Sequence, residues 1–161
     1  MIRLATINDL ETLCCYARIV ARDMHAHGID QWSDTYPNYE AFLKDVKANA
    51  LFVFEWEGNV VGSISLLPEN DPFYHLLKWD KPTSLVIHRL LVHPAFRRQK
   101  IGYHLFQFAI EKAKKDGYEA LKVDTHPDNY RMRSLILKMG FIERGYMPGF
   151  HRDGFELVLT K

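Results

Sequence analysis

Leu85, Val86, Ile87, Leu90, Leu91 and Val92 make a nearly unbroken apolar run across residues 84–92, the pattern of a strand buried on both faces. His93-Pro94 closes the run, because proline cannot donate to a ladder. From Ile101 the pattern changes: Leu105, Phe106, Ala109, Ile110 and Ala113 recur at helical spacing, with Lys112, Lys114 and Lys115 in the last turn and Gly117 beyond. Those lysines complement the negative end of a helix dipole, and the glycine suits a helix stop.

The flanking chain falls into short alternating elements. Residues 2–5 predict a strand, and Thr6 or Asn8 caps a helix whose buried stripe is Ile7, Leu10, Leu13, Cys14, Ala17, Val20 and Met24, ending at Gly28. Residues 28–39, GIDQWSDTYPNY, read as a loop or broken helix, with Trp32 and Tyr36 either pinning it or lining a binding surface. Asn38 caps a second helix that turns Phe42, Leu43 and Val46 inward. Two strands, 51–56 and 60–67, are joined by Glu57-Gly58-Asn59, which is hairpin chemistry. The connection 68–82 carries Phe73, Tyr74, His75 and Trp79 and is long enough to suggest function, either as a pocket wall or as a cover over the sheet edge. Residues 120–125 predict a strand, and Asp128 or Asn129 caps a helix with Met132, Leu135, Ile136 and Met139 at i, i+3, i+4 and i+7, terminated by Gly140. Strands at 141–146 and 155–160 complete the pattern, and no internal repeat interrupts it.

A chain of 161 residues that is 47% hydrophobic suits a single domain burying roughly 70% of its unfolded surface. A net charge of +1 creates no global field for nucleic acid, so the basic loop at 97–100 is a local feature and its ligand a small anion. Cys14 and Cys15 are neighbours and cannot form a disulfide framework, which points to a reducing compartment. Without a leader-like start or an apolar run of spanning length, the expectation is a soluble cytoplasmic protein, with no metal site.

Between the central strand and the long helix lies Arg97-Arg98-Gln99-Lys100-Ile101-Gly102. Backbone N–H groups and three cations there face the positive end of a helix, an arrangement suited to a pyrophosphate. Arg97, Gly102 and the preceding Val-His-Pro resemble the acyl-CoA pyrophosphate loop of the GNAT superfamily of N-acetyltransferases, usually Arg/Gln-x-x-Gly-x-Gly/Ala. Lys100 stands in place of the first glycine. The order strand, helix, helix, three strands, helix, strand, helix, two strands is also that of the GNAT fold, and Asn129 with Gly140-Phe141 matches the family's asparagine and Gly-Phe markers.

The resemblance implies an α/β (α+β) fold: a mixed, mostly antiparallel seven-stranded sheet whose central parallel strands splay apart, flanked by about four helices. It implies acetyl-CoA as cosubstrate, with its pantetheine arm paired to the backbone of Leu90, Leu91 and Val92. Its pyrophosphate would lie over Arg97, Arg98, Gln99, Lys100, Ile101, Gly102 and Tyr103, with Asn129 in contact further along. One strand N–H would polarise the thioester while a primary amine attacks directly. The family's glutamate base falls at Val86, which leaves His88 as the leading base, with Tyr130, Tyr146 and water as alternatives, or His88 as a merely structural hydrogen bonder. The family's tyrosine acid falls at Ile136, and His126 or Tyr130 are the available substitutes. The amine would meet residues 28–39, 68–82 and 147–154, with Asp30 and Asp34 able to attract a cation. A non-catalytic acyl-CoA sensor of the same fold is the main rival, and a phosphate or nucleic-acid binder a weaker one. A homodimer through exposed sheet edges is an expectation by fold analogy alone.

Overall fold

Periodicity resolves into regular elements in the computed structural model, which describes residues 1–159. The expected end of the last strand, Thr160, lies outside the described residues. The order is β1 (Ile2–Leu4), α1 (Leu10–Ala26), α2 (Tyr39–Lys47), β2 (Leu51–Trp56), β3 (Asn59–Leu67), β4 (Ser84–Val92), α3 (Ile101–Lys115), β5 (Ala120–Thr125), α4 (Tyr130–Lys138), β6 (Ile142–Met147) and β7 (Arg152–Val158). The strands form a seven-stranded sheet in the order β1-β2-β3-β4-β5-β7-β6. Pairs β1–β2, β2–β3, β5–β7 and β6–β7 are antiparallel, and β4–β5 is parallel with Ser84↔Ala120, Leu85↔Leu121 and Val86↔Lys122 in register. The mixed, mostly antiparallel sheet expected from the sequence is therefore present.

Helix starts follow the predicted caps. Asn38 accepts from the Ala41 N–H at 2.9 Å to open α2, and Asn129, of the two candidates, accepts from the Met132 N–H at 3.2 Å to open α4. Thr6 caps a 3-10 turn at Ile7–Asp9, where Asp9 accepts from the Thr6 N–H at 2.8 Å, and α1 continues from it. That turn corrects one expectation: Ile7 is 58% exposed, because the tighter three-residue period rotates it off the buried stripe of α1.

The chain divides into two compact units, Met1–Ser65 with Arg89–Leu105, and Leu66–His88 with the chain from Phe106 onward. In the first, Leu10, Leu13 and Ala17 of α1, Phe42 of α2, Leu51 and Val53 of β2, and Leu91 of β4 bury one another together with Trp32. Each such large side chain contributes about 1.5–3 kcal/mol by leaving water. Trp32 is thus an anchor for residues 28–39.

In the second unit, Tyr74, Val86 and Met147 form one buried cluster, with Phe73, Leu77, Trp79 and Phe150 packed on it. The connection 68–82 is therefore a strap laid over a sheet face rather than over its edge. Trp79 Nε1 donates to the Tyr74 carbonyl at 2.7 Å, and the Asp80 and Lys81 N–H groups donate to the buried Glu156 carboxylate at 2.7 and 3.0 Å. Gly154 makes room beneath the strap, since a Cβ there would lie 2.6 Å from Leu77 Cδ1 and 3.0 Å from Trp79. On α4 only Ile136 of the predicted stripe is fully buried, with Met132, Leu135 and Met139 half-buried. No helix among the described residues is long and apolar enough to cross a membrane.

Candidate active site

The first unit carries the second half of β4, the basic loop and the start of α3. Leu91 is buried, and Leu90 and Val92 are half-buried. Just before them Arg89 adopts φ 48, a left-handed conformation inside a strand. A non-glycine residue there costs roughly 1–2 kcal/mol. Its guanidinium reaches α2, where Nε and Nη2 each donate to Asp45 at 2.7 Å, while Nη1 donates to the Tyr36 hydroxyl at 2.9 Å. Burial works against the Arg89 charge, and Asp45, followed by Tyr36, outweighs it and raises the pKa above its ordinary value.

After β4, His93 accepts from the Ala95 N–H at 3.0 Å, and its ring packs edge-on against Tyr16 at 4.7 Å, which starts a 3-10 turn at Pro94–Phe96. Arg97 is half-buried and ion-paired with Asp23 of α1, so its guanidinium ties the loop to the helix layer. The cations turned to solvent are Arg98 and Lys100, both exposed beside Gln99. They adopt φ 73 and φ 60. Lys100 thus adopts the left-handed backbone for which glycine is the usual choice, and adds an ammonium there. Ile101, Gly102 and Tyr103 then form the first turn of α3, where amides lack intrahelical acceptors and the helix dipole is positive. Ile101 is buried, while Gly102 and Tyr103 are half-buried. The arrangement is chemically competent to hold a phosphate-bearing anion.

The second unit carries the expected acid–base positions. Val86, where the sequence comparison expected a glutamate, is fully buried against Tyr74 and Met147, and Ile136, where it expected a tyrosine, is fully buried on α4. His88 is half-buried and, two residues beyond Val86, shares its face of β4. Asn129 is buried with its side chain engaged in the α4 cap, and Tyr130 is 71% exposed at the first residue of that helix. His126 is buried, its Nδ1 accepting from the Asp128 N–H at 3.0 Å and its ring 4.7 Å from that of His151. The His151 Nδ1 in turn lies 2.7 Å from the Tyr146 hydroxyl.

One pair in this unit was not singled out from the sequence. The fully buried Tyr74 donates its hydroxyl to Asp124 Oδ2 at 2.6 Å. Burial pushes the Asp124 carboxyl up to about 6 and Asp71 adds to the effect, while the Tyr74 hydrogen bond and the Arg152 charge hold it down. The paired register of β4 and β5 ends at Val86↔Lys122, before His88 and Asp124 are reached. Lys122, two residues before Asp124, is buried with its ammonium 4.9 Å from the Trp79 ring, and burial lowers its pKa against the opposing Glu156 charge. Two charged residues alternating within the apolar run ALKVDT were the available signal, since they place both charges on one face of an inner strand.

The profile of the Acetyltransferase (GNAT) family matches residues 10–141. The fold is similar to that of an acetyltransferase of the GNAT family from Streptococcus agalactiae, at 22% identity and a TM-score of 0.88, covering 100% of this chain and 96% of that one. It is similar to yncA from Salmonella typhimurium, solved with its cofactor acetyl-CoA, at 19% identity and a TM-score of 0.76 over 100% and 94% of the two chains. It is also similar to the paia N-acetyltransferase from Thermoplasma acidophilum in complex with coenzyme A, at 22% identity and a TM-score of 0.78 over 99% and 98%. With most of its length matched by the family profile and the whole of its fold by these structures, the chain belongs to the GNAT family of acetyltransferases.

Proposed function

We propose that the protein is an acetyl-CoA-dependent N-acetyltransferase that passes an acetyl group directly from the thioester to a primary amine of a small molecule or peptide. The observation that carries this reading is the loop into α3, where Arg98 and Lys100 hold left-handed backbone conformations and leave the first-turn amides of a 15-residue helix for an anion. In a chain of this family, the anion would be the pyrophosphate of acetyl-CoA; two structures of similar fold were solved with acetyl-CoA or coenzyme A. Arg98, Gln99, Lys100, Ile101, Gly102 and Tyr103 hold it, and Arg97 braces the loop through Asp23. The backbone of Leu90, Leu91 and Val92 aligns the pantetheine arm, with Asn129 contributing further along.

A preorganised N–H of β4 polarises the thioester carbonyl and favours the charge that develops on its oxygen as the amine attacks. Holding the amine against an already reactive thioester removes up to about 7–11 kcal/mol of the barrier in ideal cases. His88 is the leading acceptor for the amine's proton, because imidazole is the side chain suited to proton transfer near neutral pH. Tyr130 is the alternative, its exposure leaving it free to meet a substrate. Burial pushes the Cys14 thiol up, away from the thiolate that a covalent intermediate would need, which supports direct transfer. A missing general acid at Ile136 costs about 10²-fold, the low end of what such catalysis supplies, because the departing thiol is itself acidic.

The fully buried Val86 and Ile136 favour one second reading, an acyl-CoA sensor without turnover. Thermal unfolding with acetyl-CoA or CoA, followed by a thiol-release assay over a panel of amines, separates the two. Binding should stabilise the fold by about 2.7 kcal/mol at 100 times the dissociation constant. Thiol release with any amine establishes the transferase, stabilisation without release across the panel leaves the sensor, and neither overturns both.

A further inference from the structure

We infer that the Arg89–Asp45 ion pair is a positioning device for acyl transfer: it holds β4 in the left-handed break at Arg89 and so aims the following N–H groups, of Leu90 and Leu91, at the thioester carbonyl. The inference rests on the acetyl-transfer reading, and every residue in it lies in the first compact unit. An extended strand sends successive N–H groups alternately to its two edges. A single residue at φ 48 rotates the next peptide out of that alternation, as in the kind of bulge whose first residue is left-handed, and that kind uses glycine because any other residue is strained there. Arg89 is not glycine, so something outside the strand must hold it in that conformation.

Asp45 has the position and the chemistry to do so. It is 1% exposed on α2 and takes two parallel hydrogen bonds from the Arg89 fork at 2.7 Å each. Its Oδ2 also accepts from the Ser65 hydroxyl of β3 at 2.6 Å, which fixes the carboxylate between two strands' worth of donors. Only with Arg89 in place is that buried carboxylate neutralised, so moving the guanidinium away would leave a buried unpaired charge. The pair is therefore strong enough in kind to outweigh the backbone strain. The remaining Nη1 donates to Tyr36 at 2.9 Å, which attaches residues 28–38 to the same point.

The surroundings are built to admit the break. A Cβ on Gly62 of β3 would lie 2.9 Å from the Leu91 carbonyl oxygen and 3.2 Å from Ile101, so β3 approaches closely where β4 departs from regular geometry. Beyond it the His93 N–H donates to the Val61 carbonyl at 2.9 Å, which ties the end of β4 to β3. A pair that served only to bury a helix on a sheet would need neither the left-handed residue nor the glycine opposite it.

The test separates charge from backbone conformation. Asp45→Asn should lower kcat about 10²-fold with KM for acetyl-CoA within about twofold, the signature of a misplaced transition-state contact. In that background Arg89→Gly, which adopts φ 48 without strain, should recover at least about tenfold, whereas Arg89→Ala, equally uncharged, should not. Hydrogen exchange at Leu90 and Leu91 reads the same contrast without activity: wild-type rates in Asp45→Asn/Arg89→Gly, altered rates in Asp45→Asn/Arg89→Ala. Equal kcat and equal exchange in the two double variants, or a wild-type kcat in Asp45→Asn, overturns the inference. Should Asp45→Asn fail to fold by thermal unfolding, Arg89→Lys decides, since lysine keeps the charge but not the two-pronged geometry; a fall in kcat supports the inference and a wild-type kcat overturns it. A wild-type enzyme inactive with every amine would instead sink the transferase reading, and the exchange contrast would still decide whether the pair sets the break.

Discussion

Tyr74 and Asp124, fifty positions apart, share a 2.6 Å hydrogen bond in which a fully buried phenol donates to a carboxyl that burial pushes up to about 6. Both are raised, Tyr74 by burial first and then by the neighbouring Asp124 charge.

The pair predicts a pH dependence of stability with a definite sign. Between the ordinary carboxyl value of 3.8 and about 6, the folded chain keeps the Asp124 proton that the unfolded chain has released. The folded state then binds more protons, so the contribution of Asp124 to stability falls as pH rises through that window. Asp124→Asn should therefore gain melting temperature relative to the wild type as pH rises from about 4 to 7. Tyr74→Phe removes an interaction that holds Asp124 down, so it should move the window to higher pH. Melting curves at half-unit pH intervals check both, and parallel wild-type and Asp124→Asn profiles would show that Asp124 titrates at its ordinary value.

Lys100 at φ 60 predicts a stabilising substitution inside the basic loop before α3. Lys100→Gly relieves left-handed strain of roughly 1–2 kcal/mol and gives back part of it through the freer unfolded chain, for a net gain of about 0.5–1 kcal/mol. Lys100→Ala keeps a Cβ and should gain nothing. Urea unfolding of the two variants distinguishes dihedral strain from charge crowding, because only the latter would favour both.

Arg98 faces solvent while Arg97 is held by Asp23, so the two arginines should differ in function. Arg98→Glu should raise the acetyl-CoA KM by more than about tenfold while leaving the amine KM within about twofold, with the penalty shrinking as salt screens the reversed charge. Steady-state kinetics with each substrate varied in turn provides the check. An unchanged acetyl-CoA KM would place the pyrophosphate elsewhere.

Gly62 predicts the cost of closing the gap between β3 and β4. A methyl group would meet the Leu91 carbonyl at 2.9 Å, and a backbone oxygen cannot swing aside as a side chain can. Gly62→Ala should destabilise the fold by about 1–3 kcal/mol in chemical denaturation, more than Gly154→Ala, whose nearest neighbour is the movable end of Leu77.

The sequence by itself determined the elements and their order, the cap at Asn38, a cap at Asp128 or Asn129, the hairpin at Glu57-Gly58-Asn59 and the strand–loop–helix unit around residues 84–115. Each of these is a property of neighbouring residues: apolar spacing sets the period, and a cap acts on the turn it precedes. Tertiary structure alone decided which distant groups meet. Arg89 finds Asp45 across 44 positions, Arg97 finds Asp23 across 74, and Tyr74 finds Asp124 across 50. It also decided that Lys100 and Arg89 sit in backbone conformations their own side chains disfavour. Local preference argues against those conformations, and only packing, buried charge pairing and the path of the surrounding chain can impose them.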